Sequence, residues 1–404
     1  MTTSTTVLIV GAGPTGLALA HGLKKAGISS IVLEKYPSLT VPRDWNMGLH
    51  WGAESLRAVI SDSLWARIQS CQVDPSQPTA EIDHLNMLNG QTGELLTAIP
   101  ANYFYRIRRS NLRHLLAPGV DIRYNTQLQS TEYSPDGHHV TALLDNGQKI
   151  TAHLIVGADG ARSKTRQALL GPEAGLDRQL PYCATFMQAR YTADQARFLR
   201  DFHPLFLAAI SPAGYFSFFG MHDVEDPSRP ETWTFFSYIS WFAPPEERDR
   251  MANWSNAQRL QQVKELSKAF TDPWRSAFEW LPDDQQVWSV NLTYFDPREP
   301  GHRWDNHEGR ITLAGDAAHA MTYQRGQGMN HSMTDAARLA EAIGGFVSGE
   351  MSQSEAISGY ETEMIERAGA EAALSAVNTE MVHDWQKVMA SPVFTSGLKR
   401  TNGG

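Results

Sequence analysis

The fold of the first part of the chain is decided by the stretch Val7-Leu8-Ile9-Val10-Gly11-Ala12-Gly13-Pro14-Thr15-Gly16. A short apolar run enters a glycine-rich turn, and residues 17–26 then favour a helix that ends at Gly27. A second apolar run, Ser30-Ile31-Val32-Leu33, follows and ends at Glu34. This order of strand, helix and strand predicts a βαβ unit with parallel strands.

The three glycines of this turn are typical of a dinucleotide-binding loop. Gly11 allows the tight turn, Gly13 lets a pyrophosphate approach the backbone, and Gly16 lets the helix pack on the strand. The helix N-terminus offers free N–H groups and the positive end of its dipole to the anion. Glu34 can accept hydrogen bonds from ribose hydroxyls, and no arginine follows it to bind a 2′-phosphate. NAD or FAD therefore fits better than NADP in this loop.

Two further glycine turns follow apolar runs later in the chain. Asp159-Gly160 opens a basic segment that reaches Arg166, and Gly315-Asp316-Ala317-Ala318-His319 precedes a second glycine set at residues 326–330. Asp316 could bind a polyol, and the helix beginning near Gly328 would point its positive end at an electron-rich ring. Each turn, taken alone, could also be structural, with the aspartate capping a helix.

The pattern predicts an α/β fold in which a Rossmann-like layer is interleaved with an antiparallel β-sheet and followed by C-terminal helices. We expect residues 1–75, 100–178 and 285–350 to form a discontinuous FAD-binding domain. Residues 76–99 and 179–284, which are rich in aromatic residues, would form the substrate-binding sheet. Residues 351–404 would form a helical segment.

Alternation along the last strand of that sheet separates its large side chains into two sets. Phe235, Ile239 and Trp241 share one face, and Phe236 and Tyr238 share the other. Either set could be ordinary core, and one face could instead line a pocket for a planar substrate.

Composition excludes several other classes of protein. The 404 residues include 35 basic and 44 acidic side chains, a net charge of −9, which argues against a nucleic-acid binder. Cys71 and Cys183 are the two cysteines, too few for a disulfide framework or a cysteine-built metal centre, and the histidines show no metal-ligand spacing. No apolar run is long enough for a membrane span, and a strand pattern begins where a signal peptide would lie. We therefore expect a cytoplasmic protein without a metal site.

Taken together, the motifs GxGxxG, DGxxSxxR and GDAAH, near residues 11, 159 and 315, resemble the class A flavoprotein monooxygenases. This family includes the para-hydroxybenzoate-hydroxylase-like aromatic hydroxylases and fungal enzymes of secondary metabolism. Arg109-Ser110-Asn111-Leu112 looks like the family's arginine-led helix, and Arg43 to Trp51 looks like its fungal members.

The resemblance implies a role for each matching residue. Gly11, Gly13 and Gly16 would hold the pyrophosphate of FAD, Glu34 its ribose and Asp316 its ribityl chain. The remaining expected cofactor contacts are Arg43, Arg109, Asp159, Gly326, Gly328, Met329 and Asn330. The basic residues Arg162 and Arg166 are further places where an anionic cofactor could bind.

The resemblance also implies a reaction. NAD(P)H, bound transiently, would reduce FAD; O2 would add to form a C4a-hydroperoxyflavin; and its distal oxygen would pass to an electron-rich aromatic, indole or enol small molecule by hydroxylation or epoxidation. Secondary metabolism is the expected setting. The alternatives are another FAD enzyme on this fold, such as an oxidase or reductase, and a non-catalytic binding protein that shares it.

Three residues are candidates for a direct part in catalysis. Arg190 could polarise the substrate or the oxidant, or could be a salt-bridged residue at the edge of the sheet. Asp44 follows Arg43 and could be catalytic or a structural cap. Tyr323 stands where the family usually has a proline beside the flavin.

Overall fold

In a computed structural model, which describes residues 3–40 and 43–390, the chain divides into two compact units. The first consists of Met1–Cys71, Arg109–Arg178 and Thr293–Ala376, and the second of Gln72–Arg108, Gln179–Leu292 and Val377–Gly404. The predicted α/β fold, with its interleaved antiparallel sheet and C-terminal helices, is confirmed. The part of the predicted 351–404 segment beyond residue 390 lies outside the described residues.

The described residues form sixteen strands, which we number in chain order: β1 (Thr3–Val10), β2 (Ser30–Leu33), β3 (Asn46–Leu49), β4 (Ile82–Asn89), β5 (Leu95–Asn102), β6 (Tyr105–Arg108), β7 (Ile122–Arg123), β8 (Leu128–Tyr133), β9 (Val140–Leu144), β10 (Lys149–Gly157), β11 (Arg178–Ala189), β12 (Phe206–Ser211), β13 (Tyr215–Asp223), β14 (Thr234–Phe242), β15 (Val287–Tyr294) and β16 (Ile311–Leu313).

The α-helices of the same residues are numbered likewise: α1 (Pro14–Lys25), α2 (Ala53–Val59), α3 (Asp62–Trp65), α4 (Arg109–Leu116), α5 (Lys164–Leu170), α6 (Ala193–Asp201), α7 (Pro245–Ala252), α8 (Asn256–Ser267), α9 (Trp274–Glu279), α10 (Asp316–His319), α11 (Gly328–Ser348), α12 (Gln353–Val382) and α13 (Trp385–Ala390).

In the first unit, parallel strands bring distant motifs to one edge of the sheet. The parallel order is β7-β2-β1-β10-β16, and the first half of β10 also pairs with the antiparallel hairpin β8-β9. In register, Val10 lies beside Leu33 on one side and Gly157 on the other, and Gly157 lies beside Leu313. The turns that follow these four residues therefore leave the sheet side by side, at the edge where ligands bind in open α/β sheets.

The second unit is built on a seven-stranded sheet with the order β15-β11-β14-β13-β12-β4-β5. One face is covered by helices of the same unit, because Phe219, Phe235 and Ile239 share a buried cluster with Leu260 and Phe278 of α8 and α9. The opposite face carries a second set of aromatic rings, described below. The alternation predicted for β14 is therefore present in the structure.

Replacement of Phe235 by Ala should destabilise the second unit by about 3–5 kcal/mol, because the ring is fully buried and its loss leaves a cavity. Phe242→Ala, on the same strand but 55% exposed, is the matched control and should cost less than about 1 kcal/mol. Thermal or urea unfolding of the two variants measures the difference. Equal destabilisation would contradict the difference in burial between Phe235 and Phe242.

Candidate functional site

In the glycine loop after β1, two glycines have no room for a side chain and the third has free space beside it. A Cβ on Gly11, where φ is +113°, would lie 2.4 Å from the Ala158 carbonyl oxygen, and a Cβ on Gly16 would lie 2.1 Å from the Gly11 oxygen. At Gly13 the nearest atom to such a Cβ is 3.9 Å away. Gly13 is also the N-cap of α1 and gives it no side-chain cap, so the first N–H groups of the helix are left for an anion.

Glu34 is held in place by an arginine that the sequence did not single out. Its Oε2 accepts a hydrogen bond from Nη2 of Arg113 at 2.9 Å, and its Oε1 accepts one from the backbone N–H of Tyr36 at 3.1 Å. Arg113 also donates to the carbonyl oxygens of Ala12 and Leu39, each at 2.8 Å. This buried guanidinium therefore joins the glycine loop to the acidic residue at the end of β2. The available signal was its place one turn after Arg109 in the same short helix.

Asp44 lies at the start of α4, where it accepts hydrogen bonds from the Ser110 backbone N–H (3.1 Å) and hydroxyl (2.5 Å). These contacts are the ones expected if Asp44 is a structural cap. It fixes the helix that carries Arg109, whose backbone N–H donates to the Trp45 carbonyl. Arg43 is exposed just before this contact.

The half-buried Arg109 side chain has no ion-pair or hydrogen-bond partner among residues 3–40 and 43–390. Its charge acts on Asp316, whose pKa it lowers against the larger opposing effect of burial. Arg109 is therefore available to an anionic cofactor, as the resemblance implies.

Asp159 builds the turn after β10. Its carboxylate accepts hydrogen bonds from the Ser163 hydroxyl at 2.6 Å and from the backbone N–H groups of Lys164 and Thr165 at 2.8 and 3.1 Å. The Thr165 hydroxyl is a fourth donor. Asp159 thus caps the start of α5, and its expected contact with the cofactor stays a prediction.

The expectation that Arg166 binds an anionic cofactor is wrong. Its guanidinium is fully buried, lies 4.2 Å from the Phe295 ring centroid and pairs with Asp177 at 2.5 Å. The remaining N–H groups donate to the carbonyl oxygens of Ala161, Gly175, Asp316 and Ala317. Since a guanidinium has five N–H groups, none is left for a ligand. Arg166 instead ties the turn after β10 to the turn after β16.

The turn after β16 rests on a buried charge network. Asp335 accepts hydrogen bonds from the Gly315 backbone N–H (2.7 Å) and from Arg367 (2.8 Å), and its Oδ2 lies 2.5 Å from His319 Nε2. Although burial opposes ionisation, these partners hold the pKa of Asp335 far below its usual range. His319 is fully buried and its Nδ1 has no partner among the described residues. It is therefore a structural residue of this turn.

Asp316 itself is placed differently from Asp335. Its side chain is exposed to solvent, yet protein atoms crowd it closely enough to raise its pKa. The nearest heavy atom to a Cβ built on Gly328 is the Oδ1 atom of Asp316, at 3.7 Å. Asp316 thus lies, exposed, beside the beginning of α11 in the first unit.

The start of α11 also lacks a side-chain cap, and Gly326 just before it has φ of +64°. Asn330 does not present its amide to this opening, because its Oδ1 accepts from the backbone N–H groups of His50 and Gly52 and its Nδ2 donates to the carbonyls of Gly48 and Gly326. Met329 is buried. The flavin-ring contact expected of residues 326–330 would therefore come from the backbone at Gly326 and Gly328.

The other two candidate catalytic residues, Arg190 and Tyr323, belong to different units. Arg190 follows β11 in the second unit, with 57% of its side chain exposed, and contacts Glu225 at 3.3 Å and Thr234 at 3.2 Å. These contacts are the ones expected if Arg190 is a salt-bridged residue at the edge of the sheet. Tyr323 is half-buried and begins the turn Tyr323–Arg325, which Arg325 anchors to Glu371 at 2.6 Å. Their roles in catalysis stay predictions.

Gly13→Ala and Gly16→Ala should separate binding from folding. Gly16→Ala should destabilise the first unit strongly, since its Cβ would overlap the Gly11 backbone. Gly13→Ala should leave the unfolding temperature of the cofactor-free protein within a few degrees of wild type and weaken FAD binding at least tenfold. Thermal unfolding and flavin fluorescence titration measure the two effects. A Gly13→Ala protein with wild-type FAD affinity would contradict the assigned path of the pyrophosphate.

Asp335→Asn should destabilise the first unit by about 3–5 kcal/mol at pH 7, because it leaves His319 and Arg367 without their shared carboxylate. The pKa of Asp335 is lowered by folding, so its stabilisation is present above the unfolded pKa of about 3.9 and is lost as pH falls below it. Wild type should therefore lose more unfolding free energy than Asp335→Asn between about pH 5 and pH 2.

Asp305→Asn, at an exposed carboxylate of the same unit, is the control. Parallel pH profiles for wild type and Asp335→Asn would show that the Asp335 carboxylate does not carry this stabilisation.

No helix within residues 3–40 and 43–390 is long and apolar enough to cross a membrane.

The family described as "FAD binding domain" matches residues 4–373.

Two curated fungal proteins match nearly the whole chain. FAD-dependent monooxygenase phnB of Penicillium herquei is 34% identical over 99% of this chain and 96% of its own length. FAD-dependent monooxygenase cctM of Talaromyces islandicus is 33% identical over 98% and 97%.

Among solved structures, HpxO of Klebsiella pneumoniae, complexed with FAD and uric acid, superposes with a TM-score of 0.72. The match covers 96% of this chain and 91% of that one, at 16% identity. At that identity the likeness concerns the fold.

Proposed function

Since this chain belongs to the FAD-binding domain family and is an FAD-dependent monooxygenase, we propose that it uses NAD(P)H and O2 to hydroxylate or epoxidise an electron-rich small molecule. The substrate would be an aromatic, an indole or an enol. Its setting would be secondary metabolism, a proposal supported by the fungal character of residues 43–51 and of the two relatives.

The observation that carries this proposal is the common edge at which β1, β2, β10 and β16 end. Groups of different chemistry lie at or near this edge, and we assign each of them to one part of FAD. Glu34 would accept from the ribose, Gly13 and the start of α1 would take the diphosphate with Arg109, and Asp316 would hold the ribityl chain. The uncapped start of α11 would face the flavin ring.

These groups fit the cofactor because each has unused capacity. Gly13 has no atom within 3.4 Å of a built Cβ, the N-termini of α1 and α11 have no side-chain cap, and Asp316 is exposed. By contrast, the polar groups of Arg113, Arg166 and Asp335 are consumed by protein contacts. The first set would bind, and the second set would hold the first in position.

Bound FAD would supply the redox chemistry, passing two electrons from NAD(P)H to O2 so that one oxygen atom enters the substrate and the other leaves as water. The protein's part is positional and electrostatic. The N-terminus of α11 would stabilise negative charge at the adjacent ring edge. Asp44 would keep Arg109 in place by fixing the start of α4.

The proposal is tested by incubating the FAD-loaded protein with NADPH or NADH, isotopically labelled O2 and a panel of phenols, indoles and enols. We expect at least one compound to accelerate NAD(P)H oxidation and to gain a single labelled oxygen atom, measured by mass spectrometry. NAD(P)H oxidation that yields hydrogen peroxide in full and no oxygenated product with any compound would instead support an oxidase.

Asp316→Asn should weaken FAD retention at least tenfold and lower oxygenation in proportion to the flavin lost, because the ribityl hydroxyls lose a charged acceptor. Asp283→Asn, at a fully exposed carboxylate, is the control and should change neither quantity. Flavin absorbance per chain after gel filtration measures retention. Full retention in Asp316→Asn would contradict the role given to Asp316.

A further inference from the structure

Arg106, on β6 of the second unit, differs from the other buried arginines of the described chain. Four arginines there are at least nine-tenths buried: Arg106, Arg113, Arg166 and Arg310. Arg113 pairs with Glu34, Arg166 with Asp177 and Arg310 with Glu308. Within residues 3–40 and 43–390, Arg106 forms no ion pair, and its Nε–H is buried without a hydrogen-bond acceptor.

The surroundings of this cation are aromatic. The guanidinium carbon of Arg106 lies 4.5 Å from the ring centroid of Phe218 and 5.7 Å from that of Phe206. Burial lowers the pKa of Arg106 to about 10, still above neutral pH, so the side chain is charged. The attraction of a cation to an aromatic face is weaker than the free-energy penalty for burying an unpaired ion. The rings alone therefore do not offset the burial of this charge.

The rings beside Arg106 form a row of nearly parallel planes on the face of the sheet opposite the helices. Phe206 and Phe218 are inclined by 13° with centroids 6.3 Å apart, and Phe218 and Tyr238 by 12° with centroids 5.9 Å apart. Phe186 continues this face, with its centroid 4.8 Å from that of Tyr238. These rings are at most 8% exposed, so a ligand in contact with them would be enclosed by the protein. Aromatic rings in such a row favour a planar, unsaturated molecule.

We propose that Arg106 binds an anionic oxygen of the substrate, and that the substrate is a planar aromatic or enolic acid whose ring lies on the Phe206-Phe218-Tyr238 row. This inference rests on the proposed function, since it names the substrate class of the same enzyme. A charge-assisted hydrogen bond from a guanidinium to an oxyanion is the interaction that Arg106 lacks within the protein. Arg106 would favour an anionic ligand, and the rings would favour a planar one.

The test compares two probes of the same shape and different charge, 3-hydroxy-2-naphthoate and 3-hydroxy-2-naphthamide, on the FAD-loaded protein. Isothermal titration should show that wild type binds the acid at least tenfold more tightly than the amide at pH 7. Arg106→Met keeps a long apolar side chain and should abolish this preference, mainly by weakening the acid. Arg106→Lys should retain part of it, because it keeps the charge without the fork geometry.

Arg197→Met, at an exposed arginine of α6, is the matched control and should keep the full preference. Circular dichroism and flavin content verify that each variant is folded. The proposal is overturned if wild type shows no preference for the acid, or if folded Arg106→Met keeps it. Because the readout is ligand binding, these results are distinguishable from a failure of oxygenation, which would count against the proposed function while leaving the acid preference intact.

Discussion

The first unit depends on one buried cation, the guanidinium of Arg166. The turns after β10 and β16 come from separate parts of the chain, and the backbone hydrogen bonds of the sheet end where these strands end. Beyond that point Arg166 joins the two segments, since its N–H groups donate to the carbonyl oxygens of Ala161 and Gly175 on one side and of Asp316 and Ala317 on the other. Asp177 neutralises its charge at 2.5 Å. These contacts are made within the protein and need no ligand, and preorganisation of this kind lowers the entropic cost of binding.

Arg113 and Asp335 are two further buried charges that join separate segments near the common edge of the parallel strands. Arg113 joins Glu34 to the glycine loop, and Asp335 joins Gly315 to α11 and α12 through Arg367. Each is buried with its charge satisfied, so removing one partner would leave an uncompensated ion in the protein. The groups left open, Arg109 and Asp316, occur between these fixed points. The paired buried charges of Arg113, Arg166 and Asp335 thus hold the segments on either side of Arg109 and Asp316.

The fold could be predicted from the sequence because the signals for its strands, turns and helices are local. Strand, glycine turn and helix follow one another within about twenty residues around Gly11, and the same order occurs around Asp159 and Gly315. The supporting residues were not predicted, because Arg113, Arg166 and Asp335 each contact at least one partner that is distant in sequence. Arg166 was misread for this reason, since a basic residue after a glycine turn looks the same whether it meets a cofactor or a carbonyl. Arg106 gave no sequence signal, because its lack of a carboxylate partner is visible only when its neighbours are known.

The central claim is that FAD binds at the common edge of the parallel strands, with Arg109 as a direct contact. The most direct measurement is the FAD dissociation constant of wild type and of Arg109→Gln, from flavin fluorescence titration of cofactor-free protein, with exposed Arg197→Gln on α6 as control. We expect one FAD per chain, an affinity about tenfold or more weaker in Arg109→Gln, and an unchanged affinity in Arg197→Gln. Equal FAD affinities for wild type and folded Arg109→Gln would contradict this claim.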